Sequence, residues 1–193
     1  AAAWVDAAKP WLAQTNLDGS NVPDGITVVP TPAKEEAEAA ARELHLPGEG
    51  VDADTWEACL VDVDDDREFY EAMYPLVAER LAHLDEIPAK LAFLFWGDSV
   101  VLDEKSVQKV LLKEGARADE ALAICRGILA DDDNPWDAEA LEELCRAAGE
   151  EAGLKPKLLF QPLRVAVCGN MVSPPLFEAM MLMDPADIVA RID

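Results

Sequence analysis

Apolar residues recur every three or four positions along most of the chain, which is the spacing of one face of an α-helix. The clearest stripe lies in the run from residue 67 to 84 and consists of Phe69, Met73, Leu76, Val77 and Leu81. The same spacing and the usual capping residues predict further helices over 2–14, 32–46, 104–114, 116–130, 135–152, 157–168, from 174 onwards and over 186–192. No run shows the period-two alternation of a half-buried strand. The pattern therefore predicts an all-α protein.

Turn-forming residues divide the helical pattern into two parts. A polar segment rich in glycine, proline and aspartate begins at Thr15, and residues 15–63 read as a variable, peripheral loop region. A second break occurs at Gly97-Asp98-Ser99, after a nearly apolar run. We therefore predict two consecutive helical subdomains, residues 1–98 and 99–193, which fits a chain of 193 residues.

Composition limits the classes of partner. The formal charge is −23, which argues against general affinity for nucleic acid or membranes but leaves room for a local basic site. The four cysteines are widely spaced without a C-x-x-C pair, so we expect reduced thiols and a cytoplasmic protein. No run has the length of a membrane span, and no signal peptide is visible. The chain opens without Met in mid-helix, which suggests a fragment.

The usual signatures of catalysis are missing from the sequence. Its two histidines, His45 and His83, have no spaced Cys, Asp or Ser partner, and no glycine-rich phosphate loop or G-x-S-x-G elbow occurs. The acidic runs at 62–66 and 131–133 lack the spacing of a calcium loop and read as solvated helix caps. We predict no catalytic residue, no metal site and no cofactor in this chain.

Basic residues cluster in two places. Lys105, Lys109 and Lys113 lie four apart and would stack along one face of the helix predicted over 104–114. That face is either simply solvated or a set of phosphate contacts, to which Lys157 is a further candidate. From Lys155 to Met183 the chain holds only one carboxylate, so this second region is locally basic.

The locally basic region also contains an arginine in an unusual setting. Arg164 lies inside an otherwise apolar helix that ends at Gly169, and Ser173 with Pro174 would cap and start the next helix. An arginine in such a place is either paired with a carboxylate or directed at a ligand, and its planar fork suits phosphates and base edges.

Residues 161–178, QPLRVAVCGNMVSPPLFE, resemble the Q-P-L-R-x-A-x-T-G-x-x-x-[S/T]-P-x-L-F-E signature of bacterial glutamyl-tRNA synthetases. That signature belongs to their helical, C-terminal anticodon-binding region. The run YPLVAERLAHLDEIPAKLAFLFW and the segment at 135–153 resemble further parts of the same region. The resemblance covers about residues 67–193, and it departs from the family at Cys168, often Thr, and at Asn170, often Arg.

The resemblance implies roles for particular residues. Arg80 matches the family's arginine that reads anticodon bases and distinguishes glutamate from glutamine tRNAs, and Arg164 matches a second anticodon-contacting arginine. Ser173, Pro174 and Leu176 match the segment that packs against the anticodon nucleotides. Arg80 and Arg164 fall in different predicted subdomains. A pocket that contains both arginines would therefore require the two subdomains to be docked at a fixed angle.

The resemblance also implies the setting of the chain. It would be the anticodon-binding fragment of a monomeric glutamate–tRNA ligase, with tRNA-Glu and the enzyme's own catalytic domain as partners. The catalytic Rossmann domain, with its His-x-Gly-His-type motif, its Lys-x-Ser-Lys-type loop and its ATP and Mg²⁺, is absent from this sequence. Two alternatives remain open: an acidic helical module that binds protein, and the same region of a non-discriminating synthetase that also charges tRNA-Gln.

Overall fold

The fold is all-α, as predicted, throughout the residues that the computed structural model describes: 1–12, 63–64, 67–78, 80–98 and 100–193. The predicted loop region at 15–63 lies outside these residues, apart from Val63. The chain divides into two compact units, Ala1–Trp96 and Gly97–Asp193, where we predicted a division after residue 98. In the described ranges no helix is both long enough and apolar enough to cross a membrane.

The N-terminal unit is built on short helices around a small apolar core. Within its described residues the helices are α1 (Ala2–Leu12), α2 (Arg67–Val77) and α3 (Ile87–Leu91), with 3₁₀ turns at Leu84–Glu86 and Ala92–Phe95. Helices α1 and α2 pack together and bury Val5 and Met73 completely. Arg67 joins their exposed edges, because its guanidinium donates to the Asp6 carboxylate at 2.6 Å and to the Ala2 carbonyl at 3.1 Å.

Helix α2 is shorter than its apolar stripe predicts. We expected a helix from residue 67 to 84, but the helix ends at Val77 and the chain continues as turns. Pro75 lies within the last turn of α2, where it can donate no backbone hydrogen bond and its ring crowds the preceding turn. Arg80 therefore lies in a turn after the helix, where its N–H donates to the Val77 carbonyl at 2.8 Å.

The C-terminal unit packs its helices around a central one. Its elements are α4 (Glu104–Ser106), a π-helical turn (Val107–Leu111), α5 (Ala118–Leu129), α6 (Ala138–Glu151), α7 (Pro156–Cys168), α8 (Leu176–Met180) and α9 (Pro185–Ile192). Helix α7 packs against α5, α6, α9 and the π-helical turn. Leu159 and Leu163 of α7 are fully buried, and Gly149 of α6 allows the close approach. A Cβ at Gly149 would lie 2.7 Å from a Leu159 methyl carbon.

The helix predicted over 104–114 is interrupted. Asp103 caps it as expected, since its carboxylate accepts from the Ser106 N–H at 2.7 Å. After Ser106 the helix widens into a π-helical turn, because the Leu112 N–H donates to the Val107 carbonyl five residues back, at 2.9 Å. The helix ends at Leu111, so Lys113 lies beyond it and the three lysines do not share one helical face.

Candidate nucleic-acid interface

The candidate site is built on α7 and on the corner that follows it. Pro156 occupies the first turn of α7, where a missing N–H costs no helical hydrogen bond. Gly169 ends the helix with φ of 82° and donates its N–H to the Val165 carbonyl at 2.9 Å. Both ends of this helix are where the sequence predicts them to within one residue, and Arg164 lies one turn before its end.

Arg164 holds the corner by several hydrogen bonds. Its Nη1 donates to the Pro174 carbonyl at 2.8 Å, to the Ser173 carbonyl at 3.3 Å and to the Ser173 hydroxyl. That hydroxyl donates in turn to the Pro174 carbonyl at 2.9 Å. The half-buried guanidinium is thereby fixed in position beside the turn that leads into α8.

The capping role predicted for Ser173 is wrong, and so is the placement of Pro174 in the first helical turn. Helix α8 begins at Leu176, and its N-cap is Pro175 with φ of −50° and ψ of 125°. Ser173 and Pro174 each precede a proline, and a residue in that position is sterically pushed out of the helical region. The hydroxyl of Ser173 therefore belongs to the Arg164 network instead of to a helix cap.

A cleft of about 210 Å³ opens beside Arg164. It is lined by Glu142, Phe160, Arg164, Pro175, Leu176, Phe177 and Glu178. The rings of Phe160 and Phe177 meet edge to face at 5.4 Å, and the Arg146 guanidinium lies 5.3 Å from the centre of the Phe160 ring. The cleft thus combines apolar faces that can stack on a base with donors and acceptors that can bond to its edge.

The sequence reading missed the cleft-lining residue Phe160. It lies four residues before Arg164 on the same helix, and side chains at that spacing are neighbours on one helical face. Helical spacing from the arginine was therefore a signal that could have found it. The cleft-lining residue Glu142 lies on α6 and has no such signal in the sequence.

Cys168 is a buried neighbour of the corner. Burial raises the pKa of its thiol to about 11, although a hydrogen bond with Ser173 and the charge of Arg164 act in the opposite direction. The thiol is therefore neutral at pH 7. Cys125 and Cys145 are also free and buried.

The predicted contact residues differ in their exposure. Ser173 and Leu176 are 8% and 4% exposed, and Pro174 is also buried. The predicted phosphate contacts are all exposed: Lys105, Lys109, Lys113 and Lys157. Arg80 is exposed as well but belongs to the other unit, so a pocket shared by Arg80 and Arg164 stays a prediction.

The N-terminal unit has a cleft of its own near Arg80. Its volume is about 240 Å³, and it is lined by Trp4, Tyr74, Ala78, Leu81, Ala82, His83 and Leu84. The rings of Trp4 and Tyr74 are 5.4 Å apart. Because Arg80 lies in the same turn as Ala78 and Leu81, an aromatic cleft and an exposed arginine occur together in this unit.

The chain is similar in sequence to known glutamate–tRNA ligases. The chain is 41% identical over 132 residues to a glutamate–tRNA ligase of Clavibacter michiganensis, a match that covers 67% of this chain and 25% of the ligase. A glutamate–tRNA ligase of Cutibacterium acnes is 43% identical over 132 residues, with 66% and 25% covered. The chain thus spans about a quarter of the length of these curated relatives.

A solved structure shares the fold. The crystal structure of a glutamate tRNA ligase from Elizabethkingia meningosepticum matches 78% of this chain and 33% of its own, with a TM-score of 0.53 and 18% sequence identity. The sequence model described as "Anticodon binding domain" matches residues 34–193, which is most of the chain. The chain therefore belongs to the anticodon binding domain family.

Proposed function

We propose that this chain is the anticodon-binding part of a glutamate–tRNA ligase and that it binds tRNA-Glu through the anticodon loop. Its family and its glutamate–tRNA ligase relatives support the proposal. The single observation that carries it is the cleft beside Arg164, where a fixed guanidinium adjoins aromatic and aliphatic side chains. Bases of a single-stranded loop are recognised by this combination of stacking and edge hydrogen bonds.

Within this cleft, each kind of side chain has a distinct task. The exposed parts of Phe160 and Pro175 offer faces on which a base can stack. Glu142 and Glu178 offer carboxylate oxygens, which accept from exocyclic amino groups such as that of cytosine. Arg164 donates to base oxygens or to phosphate. Ser173, Pro174 and Leu176 are largely buried, so they shape this surface and contribute only small contact areas.

Electrostatic attraction to the RNA backbone comes from exposed lysines. Lys105, Lys109, Lys113 and Lys157 are the proposed phosphate contacts. The rest of the chain carries a large negative charge, which opposes the approach of RNA. Binding should therefore weaken as salt rises, with a slope set by the few phosphates that are neutralised.

Arg80 supports a preference for tRNA-Glu over tRNA-Gln. It is exposed, and its sequence neighbours Ala78 and Leu81 line the aromatic cleft of the N-terminal unit. The family resemblance assigns discrimination between the two tRNAs to an arginine at this position. A guanidinium that donates to the edge of one base discriminates against another base that lacks the matching acceptors, because the guanidinium N–H groups are then left unpaired in the complex.

The whole protein would add the chemistry that this region lacks. We propose a monomeric cytoplasmic ligase whose catalytic domain, elsewhere in the protein, uses ATP and Mg²⁺ to attach glutamate to the tRNA. The present region would supply tRNA selection only. In that whole protein, Arg80→Ala and Arg164→Ala should lower charging of tRNA-Glu.

Gel-shift titration of the 193-residue chain tests the proposal directly. The RNAs are tRNA-Glu and tRNA-Gln, each over a range of salt concentrations. We expect tighter binding of tRNA-Glu and at least a tenfold loss for Arg164→Ala, which corresponds to about 1.4 kcal/mol. Arg126→Ala is the matched control, because Arg126 is an exposed arginine of α5 that pairs with Asp193 and does not line the cleft.

The acidic composition supports one rival function, a module that binds protein and not RNA. Absence of tRNA binding even at low salt would favour that rival and contradict the proposal. Equal affinity for the two tRNAs, with Arg164→Ala still impaired, would instead indicate a non-discriminating region.

A further inference from the structure

The turn after α7 is tied to a distant part of the sequence. We call residues 169–173 the corner loop. The Asp103 N–H donates to the Gly169 carbonyl at 2.7 Å, and the Met171 N–H donates to the Ser106 hydroxyl at 3.0 Å. Asp103 is the N-cap of α4 and Ser106 is its last residue, and both lie more than sixty positions earlier in the chain. These bonds fix the first half of the corner loop against α4.

Ser106 is the centre of this connection. Its side chain is 1% exposed, and its hydroxyl donates to the Asp103 carboxylate at 2.6 Å while it accepts from Met171. The same carboxylate accepts from the Ser106 backbone N–H at 2.7 Å. Both the donor and the acceptor of the hydroxyl are therefore used, and a buried network of this kind defines one geometry.

The second half of the corner loop is held by Arg164 of α7. Ser173 accepts from Arg164 through its hydroxyl and its carbonyl. Between the two anchors, Val172 is 83% exposed, and its N–H is bonded to the Asn170 side chain at 2.8 Å. An apolar side chain is thus presented to solvent in an anchored loop, directly before the residue that Arg164 holds.

We infer that Asp103 and Ser106 are positioning residues for tRNA binding, which hold the corner loop in the conformation in which Arg164 and Val172 meet the RNA. This inference rests on the proposed function. A preformed loop does not have to be ordered when the RNA binds, so the network improves affinity without touching the ligand. Neither residue lies in the motif that carries the family resemblance.

Two substitutions of matched shape isolate the hydroxyl. Ser106→Thr and Ser106→Val introduce side chains of the same shape, and only threonine keeps the hydroxyl. We expect the Val variant to bind tRNA-Glu about fivefold more weakly than the Thr variant, the effect of roughly one hydrogen bond. Hydrogen exchange should show faster exchange of the Met171 amide in the Val variant alone, because its acceptor is lost.

A control separates positioning from general stability. Asp137 caps α6 by accepting from the Ala140 N–H at 3.0 Å, and Asp137→Ala removes a helix cap of the same kind without affecting the bonds to the corner loop. We expect it to lower the midpoint of thermal unfolding but to leave tRNA affinity within about twofold of wild type.

The outcomes distinguish the inference from the function on which it rests. If wild type binds tRNA-Glu but the Thr and Val variants bind equally, the positioning role is overturned and the proposed function stands. If Asp137→Ala weakens binding as much as Ser106→Val, the effect is one of stability and the positioning role is again overturned. A wild-type chain with no affinity for tRNA overturns both.

Discussion

Removal of the Arg164 side chain should destabilise the C-terminal unit far more than removal of an ordinary surface arginine. The Arg164→Ala variant loses a charge-assisted bond to the Pro174 carbonyl at 2.8 Å and contacts with both oxygens of Ser173. A hydrogen bond to a charged group contributes about 1.5–3 kcal/mol. Because the Pro174 carbonyl keeps its bond from the Ser173 hydroxyl, we place the loss near the middle of that range, at about 2 kcal/mol.

The comparison variant is Arg146→Ala. Arg146 pairs with Glu142 and lies over the Phe160 ring, but its side chain is 40% exposed. Exposed pairs of this kind are screened by solvent and contribute less than about 1 kcal/mol. The two arginines lie on neighbouring helices of the same unit, so the comparison holds the fold constant.

Native-state hydrogen exchange along a urea series is the assay, because it assigns a free energy of opening to each unit separately. Peptides from α7 and the corner loop report on the C-terminal unit, and peptides from α1 report on the N-terminal unit. We expect the free energy of opening of α7 to fall by about 2 kcal/mol in Arg164→Ala. A loss no larger than that of Arg146→Ala would refute the idea that the Arg164 network holds the corner.

Three further predictions concern packing, pH and salt. Gly149→Ala should lower the free energy of unfolding by about 1 kcal/mol, because overpacking against Leu159 outweighs the gain in helix propensity. Gly127→Ala, which has open space around it, should raise the free energy of unfolding by roughly 0.5–1 kcal/mol. Urea titration of both variants measures these changes. Burial raises the pKa of the Cys168 thiol to about 11, so between pH 9 and 11 the folded state keeps a proton that the unfolded state loses. Wild type should therefore lose more stability than Cys168→Thr as the pH rises from 9 to 11. Equal losses of stability in the two proteins would contradict this. Lys105→Glu should weaken binding of tRNA-Glu and reduce the slope of log affinity against log salt by about 1, and an unchanged slope would remove Lys105 from the interface.

Much of the candidate site could be predicted because its signals are local. Pro156 and Gly169 mark the two ends of α7. Proline fits the first turn of a helix because it needs no N–H there, and glycine readily adopts the positive φ that ends a helix. Arg164 stood out because a charge within an apolar helix requires partners. Asp103 directly precedes the helix predicted over 104–114 and is a preferred N-cap residue, and the structure confirms that it caps this helix.

The remaining features depend on competition between local rules or on distant pairing. Ser173 satisfies the composition of an N-cap, but the two prolines after it forbid helical backbone at Ser173 and Pro174. The π-helical turn changes the register of the lysines, because its backbone hydrogen bonding reaches five residues back, as from the Leu112 N–H to the Val107 carbonyl. The bond between Ser106 and Met171 joins segments that no periodic pattern relates, so only the folded chain reveals it.

The most direct test of the central claim is the affinity of the chain for an isolated anticodon stem–loop of tRNA-Glu. The same stem–loop with its anticodon bases replaced serves as the matched competitor, since it has the same phosphates and the same shape. We expect the wild-type chain to prefer the glutamate anticodon at least tenfold, and Arg164→Ala to lose most of that preference. Equal affinity of the wild-type chain for both stem–loops would contradict base recognition at the cleft beside Arg164.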